Sequence, residues 1–168
     1  MGENIKLETN RCILSKLQQI DYEDIKKLYV NEKVRKYLGG IRDEVIIKES
    51  FCRVMKPLKG SYYWGVREKH TNKFLGMFSL DSHHDGISKE VSYQLLPQWW
   101  GAGYATEILK AVIDYAFNTL QLTEVIAETQ TANGASCRLL ERVGMKYKQS
   151  VHRFGTEQAI YSISSTLK

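Results

Sequence analysis

The stretch best suited to chemistry is WWGAGYATE, Trp99–Glu107, where Gly101, Gly103 and Ala105 lie between an aromatic pair and a helix-forming run. If Ala105 opens that helix, the backbone N–H groups of residues 101–106 lie before or within its first turn. Donors there have no intrahelical partner and sit at the positive end of the helix dipole. Glycines remove Cβ atoms, so a phosphate can approach the main chain. The segment therefore reads as a diphosphate cradle, although a tight turn would explain the same glycines without a ligand. A P-loop is excluded because Gly-Lys-Ser/Thr is missing. A dinucleotide-binding fingerprint fails because its third glycine is absent at the required spacing.

Two further groups could bear chemistry. His83 and His84 adjoin in DSHHDG, a polar, glycine-containing turn. Their side chains should diverge and be exposed, so no metal is expected. Cys12, Cys52 and Cys137 form no C-x-x-C pair and read as small packing residues in a reducing setting.

The elements that must position the cradle follow from periodicity. RCILSKL alternates as a first strand, and DYEDIKKLYV as a helix has Asp21 for N-cap and Ile25, Leu28 and Tyr29 on one side. RDEVIIKESFCRVM reads as a second helix burying Val45, Ile46, Phe51 and Val54, ended by Pro57. YYWGVRE, KFLGMFSLD and ISKEVSYQLLP are three strand-like runs, the first two joined by the hairpin loop KHTN. In the first, Tyr62, Tyr63 and Trp64 read mostly as core; in the third, Glu90, Ser92 and Gln94 share a face opposite Val91, Tyr93 and Leu95. ATEILKAVIDYAFNTL carries one apolar stripe, from Ala105 through Ile108, Leu109, Val112, Ala116 and Phe117 to Leu120. EVIAET is a strand, NGASCRLLERVG a helix between Asn133 and Gly144, and MKYKQSV with AIYSISS an antiparallel pair. The expected fold class is α/β (α+β): a mixed, mostly antiparallel central sheet with helices on both faces, in a single domain over 7–166.

Composition narrows the partners. The net charge of +5 and a pI near 9.0 favour anionic ligands, but the basic residues are spread out, so no direct nucleic-acid binding is expected. An RNA- or ribosome-binding reading rests on this charge alone. No run approaches the ~20 apolar residues of a membrane helix. The opening MGENIKLETNRCIL lacks a signal-peptide pattern, and Lys6 argues against myristoylation, so the expectation is a cytoplasmic protein.

EVSYQLLPQWWGAGYATE, an amphipathic helix, and then EVIAETQTANGASCRLLERVGM together resemble the GNAT superfamily of acetyl-CoA-dependent N-acetyltransferases. LETNRCILSKL and NEKVRKYLGG are similar to segments of its ribosomal-protein N-terminal (Rim-type) branch. The resemblance implies a GNAT-like fold with acetyl-CoA as co-substrate and no metal. It places the pyrophosphate loop on Trp100, Gly101, Ala102, Gly103, Tyr104 and Ala105, continuing to Thr106 in the first helical turn. It places the pantetheine strand on Gln94, Leu95 and Leu96, with the Leu95 amide toward the thioester, and Asn133 and Ser136 near the sulfur. Trp100 stands where much of the superfamily has Gln or Arg, and Leu140 where many members have a tyrosine acid.

Glu90 in KEVSY matches the catalytic glutamate of several members and is the candidate base, directly or through water; it could equally be a surface or hairpin-pairing residue. Ser136 is the candidate donor to the departing sulfur, or a cofactor contact alone. No acyl-cysteine is required when two substrates align in one groove, despite Cys137 next door. The implied acceptor is an amine-bearing small molecule or a protein N-terminus, such as that of a ribosomal protein, and a homodimer is compatible with the family. The alternative is a non-catalytic acyl-CoA-binding or sensory module of the same fold.

Overall fold

Alternation along 62–95 builds three consecutive antiparallel strands, and the runs on either side extend them into one eight-stranded sheet. The structure, a computed structural model, describes residues 5–165. The Met1–Gly2 start and Thr166, the last residue of the expected domain, lie outside the described residues. The strands are β1 (Leu7–Glu8), β2 (Cys12–Lys16), β3 (Tyr62–Glu68), β4 (Phe74–Ser82), β5 (Lys89–Leu95), β6 (Glu124–Gln130), β7 (Lys146–Arg153) and β8 (Thr156–Ser164). The helices are α1 (Tyr22–Tyr29), α2 (Glu32–Arg35), α3 (Glu44–Met55), α4 (Tyr104–Asn118) and α5 (Gly134–Arg142).

The sheet order is β1-β2-β3-β4-β5-β6-β8-β7. Adjacent strands run antiparallel except β5 and β6, which are parallel. Helix α4 makes the crossover that a parallel pair needs. Each face of the sheet has its own core. On one, Ile108, Leu109 and Val112 of α4 and Leu139 and Leu140 of α5 meet Val66, Phe78, Val91 and Leu95. On the other, Ile25 and Leu28 of α1 and Ile47 and Phe51 of α3 meet Leu17, Phe74 and Met77. Each such side chain contributes roughly 1.5–3 kcal/mol by leaving water. This is the mixed sheet with helices on both faces that the pattern predicts.

Three local expectations are corrected. Val45 and Ile46 are 66% and 42% exposed, whereas Ile47 is fully buried. The Asp43 carboxylate caps α3 by accepting from the Ile46 N–H, and the resulting phase turns Ile47, Phe51 and Val54 inward. Within NEKVRKYLGG, which its likeness to the Rim-type branch implies to be the loop before the second helix, Asn31 caps the one-turn helix α2 by accepting from the N–H groups of Lys33 and Val34. Helix α4 starts at Tyr104, one residue before Ala105.

Candidate active site

The start of α4 is built from two left-handed glycines. Gly101 has φ 78° and Gly103, the residue capping α4, has φ 81°. A non-glycine residue there costs about 1–2 kcal/mol. A Cβ on Gly101 would meet nothing within 4 Å, so the space beside it is open. The first intrahelical bond runs from the Glu107 N–H to the Gly103 carbonyl at 3.1 Å, which leaves the N–H groups of Tyr104, Ala105 and Thr106 without helical partners.

A negative side chain in this turn would repel an anion, and Glu107 is one. Its carboxylate is instead consumed by the β1–β2 turn, accepting from Thr9 Oγ1 (2.6 Å), the Arg11 backbone N–H (2.9 Å) and Arg11 Nε (2.8 Å). Arg11 also donates Nη1 to the Ala102 carbonyl at 3.0 Å and lies 3.9 Å over the Tyr104 ring. Tyr104 sends its hydroxyl to Glu68 at 2.6 Å.

The loop opens onto a cavity of about 810 Å³ that runs between β5 and β6. These strands carry one ladder pair, Glu90 with Ile126. The Leu96 N–H points to β4, bonding the Leu75 carbonyl at 2.8 Å, so the Leu95 N–H faces the opposite side, toward β6. The Leu95 carbonyl accepts from Trp100 Nε1 at 2.8 Å, which folds this indole back on the strand. Lys33 and Lys36 line one wall, and Arg138 and Arg142 another, giving the cavity a cationic rim. The cradle, the rim and the open strand edge fit a phosphorylated thioester: the loop N–H groups would hold its diphosphate and Leu95 its carbonyl oxygen.

At the far end of this gap the Tyr93 hydroxyl and Ser136 Oγ are 2.5 Å apart. Burial pushes the Tyr93 phenol up to about 12, so it stays protonated at neutral pH and can act as a donor. Asn133 caps α5, its Oδ1 accepting from the Ser136 N–H at 3.2 Å.

On the α1–α3 side of the sheet a carboxyl cluster gathers. Glu90 is half-buried, and burial raises its carboxyl to about 7; His83 acts against this and the Glu128 carboxylate with it. Asp81 lies opposite Glu90 in register and accepts from the hydroxyls of Ser61 and Tyr63. His83, expected exposed, is 5% exposed. Its Nδ1 accepts from the Asp85 N–H (3.2 Å), so its Nε2 carries the proton that bonds Glu128 at 2.6 Å. His84 is exposed, as expected. Among the described residues no group of three or more His, Cys, Asp or Glu could hold a metal ion.

The sequence-derived residues divide accordingly. Gln94, Leu95, Trp100, Gly101 and Gly103 line the cavity. So do Tyr104, Ala105, Thr106, Asn133 and Ser136. The Gln94 amide oxygen, however, faces buried Arg35 at 3.5 Å. Leu96 is buried in the α1–α3 core, the Ala102 carbonyl is bonded to Arg11, and Glu90 is not among the residues that line the cavity. Sequence reasoning missed Tyr93, Arg11, Glu107 and Glu128. Tyr93 had a signal, its place one residue before Gln94 on the strand that ends at the cradle; the others depend on contacts between distant segments.

Comparison with known proteins agrees with this geometry. The profile of the acetyltransferase (GNAT) domain family matches residues 11–146. The uncharacterized N-acetyltransferase YoaA of Bacillus subtilis (strain 168) is 28% identical over 94% of this chain and 95% of its own length. The acetyltransferase of Agrobacterium tumefaciens str. C58 superposes with a TM-score of 0.86 at 22% identity, covering 98% of this chain and 97% of that one. Two more distant structures share the fold. Spermidine N-acetyltransferase from Vibrio cholerae, in complex with CoA and spermine, has a TM-score of 0.78 at 18% identity over 91% of this chain and 95% of its own. The ribosomal-protein-S5-alanine acetyltransferase from Vibrio fischeri has 0.77 at 15% over 97% and 98%. With a helix-start glycine cradle opening between two parted parallel strands, and a family profile covering most of its length, this chain belongs to the GNAT acetyltransferases.

Proposed function

We propose that the protein transfers an acetyl group from acetyl-CoA directly to a primary amine bound on the α1–α3 side of the sheet, with a protein N-terminal amine as the favoured acceptor class. The observation that carries the reading is the left-handed Gly101–Gly103 loop at the start of α4, opening onto the gap between β5 and β6. Acetyl-CoA supplies an acyl carbon open to attack and a thiolate that can leave. The loop N–H groups hold the diphosphate, and the cationic rim adds attraction. The Leu95 N–H polarises the acyl oxygen, the role of an oxyanion-hole donor. The Tyr93–Ser136 pair delivers a proton to the departing sulfur.

Glu90 takes the proton that the amine must lose, through one water, because it is not among the residues that line the cavity. Its carboxyl, at about 7, also bears on the acceptor. Taking a proton from an N-terminal ammonium of pKa ~8 is uphill by about one unit; from a lysine-type ammonium of ~10.4 it is uphill by more than three. The first costs roughly 1.4 kcal/mol and the second over 4. That difference supports an N-terminal or similarly weak amine. A small polyamine is the second reading, favoured by the carboxylates Asp81 and Glu90 on the acceptor side.

Thermal unfolding with and without CoA, followed by thiol release across peptides with free N-termini and small polyamines, tests the proposal. CoA should stabilise the protein, and peptides should release thiol fastest. No stabilisation by CoA would refute the cradle. Stabilisation without thiol release from any amine would favour the non-catalytic binding module.

A further inference from the structure

Glu128, on β6, is the carboxylate at the cavity wall, and its side chain is 5% exposed. Both of its oxygens are engaged. Oε1 accepts from His83 Nε2 at 2.6 Å and Arg153 Nη2 at 3.3 Å, and Oε2 accepts from Arg153 Nε at 3.0 Å. A carboxylate gripped on both oxygens is fixed in place. Glu90 is on the neighbouring strand and the same face, paired with Ile126 two residues before Glu128, and the Glu128 backbone N–H faces its carboxylate. Resting on the acetyl-transfer reading, we propose that Glu128, clamped by Arg153 and His83, is the positioning residue that holds Glu90 as proton acceptor for the amine.

The set works through both geometry and charge. The Glu128 main-chain N–H faces the Glu90 carboxylate, while the Glu128 side chain puts a negative charge beside it that favours an incoming proton. Arg153 limits that charge. The other groups near Glu90 are Asp81, its register partner on β4, held by Ser61 and Tyr63, and His83 from the β4–β5 turn, which also pairs with Asp85. The proton count closes. An ammonium acceptor gives one proton to Glu90, which later returns it to solvent. The second nitrogen proton, lost as the amide forms, replaces the one that Tyr93–Ser136 gives to the departing sulfur. One proton is released per turnover.

Opposite signs make the test decisive. Removing the Arg153 charge leaves Glu128 unbalanced, so Glu90 should protonate more readily and the acid limb of kcat/KM should move to higher pH. Removing the Glu128 charge should move it to lower pH. Each shift should be about one unit, the low end for a charge at this range. The variants are Arg153→Gln, Glu128→Gln and Arg153→Lys, the last keeping the charge and the wild-type position. Two readouts are taken, the pH profile of thiol release and the ¹³C titration of the Glu90 side-chain carboxyl in CoA-saturated protein, assigned with Glu90→Gln. Arg153 is 30% exposed, so Arg153→Gln remains informative even where Glu128→Gln fails to fold. Shifts of opposite sign in both readouts support the assignment. Equal titrations in all variants, or shifts of the same sign, overturn it. If wild-type protein acetylates no amine, the acetyl-transfer reading falls, while the carboxyl titration still decides whether Glu128 sets Glu90.

Discussion

Gly101→Ala probes the cradle with one methyl group. Nothing lies within 4 Å of the added Cβ, so no clash contributes. The cost to the empty protein is that of a left-handed alanine, about 1–2 kcal/mol. Gly86 provides a matched control, with φ 71° and nothing within 4 Å of its Cβ. It precedes β5, whereas the cradle follows it, and seven residues at ~3.3 Å each put the two about 20 Å apart. Both variants should therefore lose similar intrinsic stability, yet only Gly101→Ala places a methyl where a phosphate must approach. Losing one or two charge-assisted bonds to the loop amides costs about 2–3 kcal/mol, near a hundredfold in Kd. At CoA equal to 100 times the wild-type Kd, ligand stabilisation should fall from about 2.7 to about 0.4 kcal/mol. In a chain of this size that reduces the CoA-induced rise in Tm from roughly 5–10 °C to about 1 °C. Differential scanning fluorimetry with and without CoA measures it. An undiminished CoA shift in Gly101→Ala, or an equal loss in Gly86→Ala, would refute the cradle.

Two other substitutions separate structure from chemistry. A Cβ on Gly76 would lie 2.0 Å from the Gln94 carbonyl oxygen and 2.9 Å from the Leu95 Cα, both main-chain atoms. Gly76→Ala should therefore push β4 from β5 and cost more than ~3 kcal/mol, read as a lowered urea midpoint. Tyr93→Phe and Ser136→Ala each break the 2.5 Å pair while leaving the cradle intact. Either should lower kcat about 10²-fold or more with CoA affinity nearly unchanged, and the double variant should lose little beyond either single one. Unaltered kcat in both would remove the pair from the reaction.

What could be read in the sequence was local. The glycine turn is a run of neighbouring residues whose backbone angles and helix start are set within one turn, and the left-handed angles and the start of α4 fall at the glycines. The meander follows from alternation, and the mixed character of the sheet from the helices that separate its later strands. The Arg11–Glu107 pair spans 96 positions and has no signature in either segment. The same holds for His83, whose polar turn suggests exposure; its burial comes from Glu128, 45 positions on, and that side chain is fixed in turn by Arg153 from β7. Val45 and Ile46 show a subtler failure: Phe51 and Val54 are buried as the pattern indicates, but the residue one turn before them on that face is Ile47, four before Phe51, and the cap at Asp43 fixes where the helix begins.

The placement of Glu107 resolves an apparent conflict in the site's electrostatics. An acidic residue in the first turn favours the helix dipole, which helps α4 form, yet the same charge would oppose a diphosphate. Pairing it with Arg11 keeps the first effect and cancels much of the second, because the ion pair is neutral as seen from the loop. Arg11 then does a second job by holding the Ala102 carbonyl, while Trp100 holds the loop's other end to the Leu95 carbonyl. The loop is thus tied to the β1–β2 turn and to β5 in the free protein, and the Trp100–Leu95 bond connects it to the strand edge that is proposed to hold the acyl group. Ordering that is already present in the free protein is not charged against binding. The loop can therefore remain glycine-rich, as its left-handed angles require, without being slack.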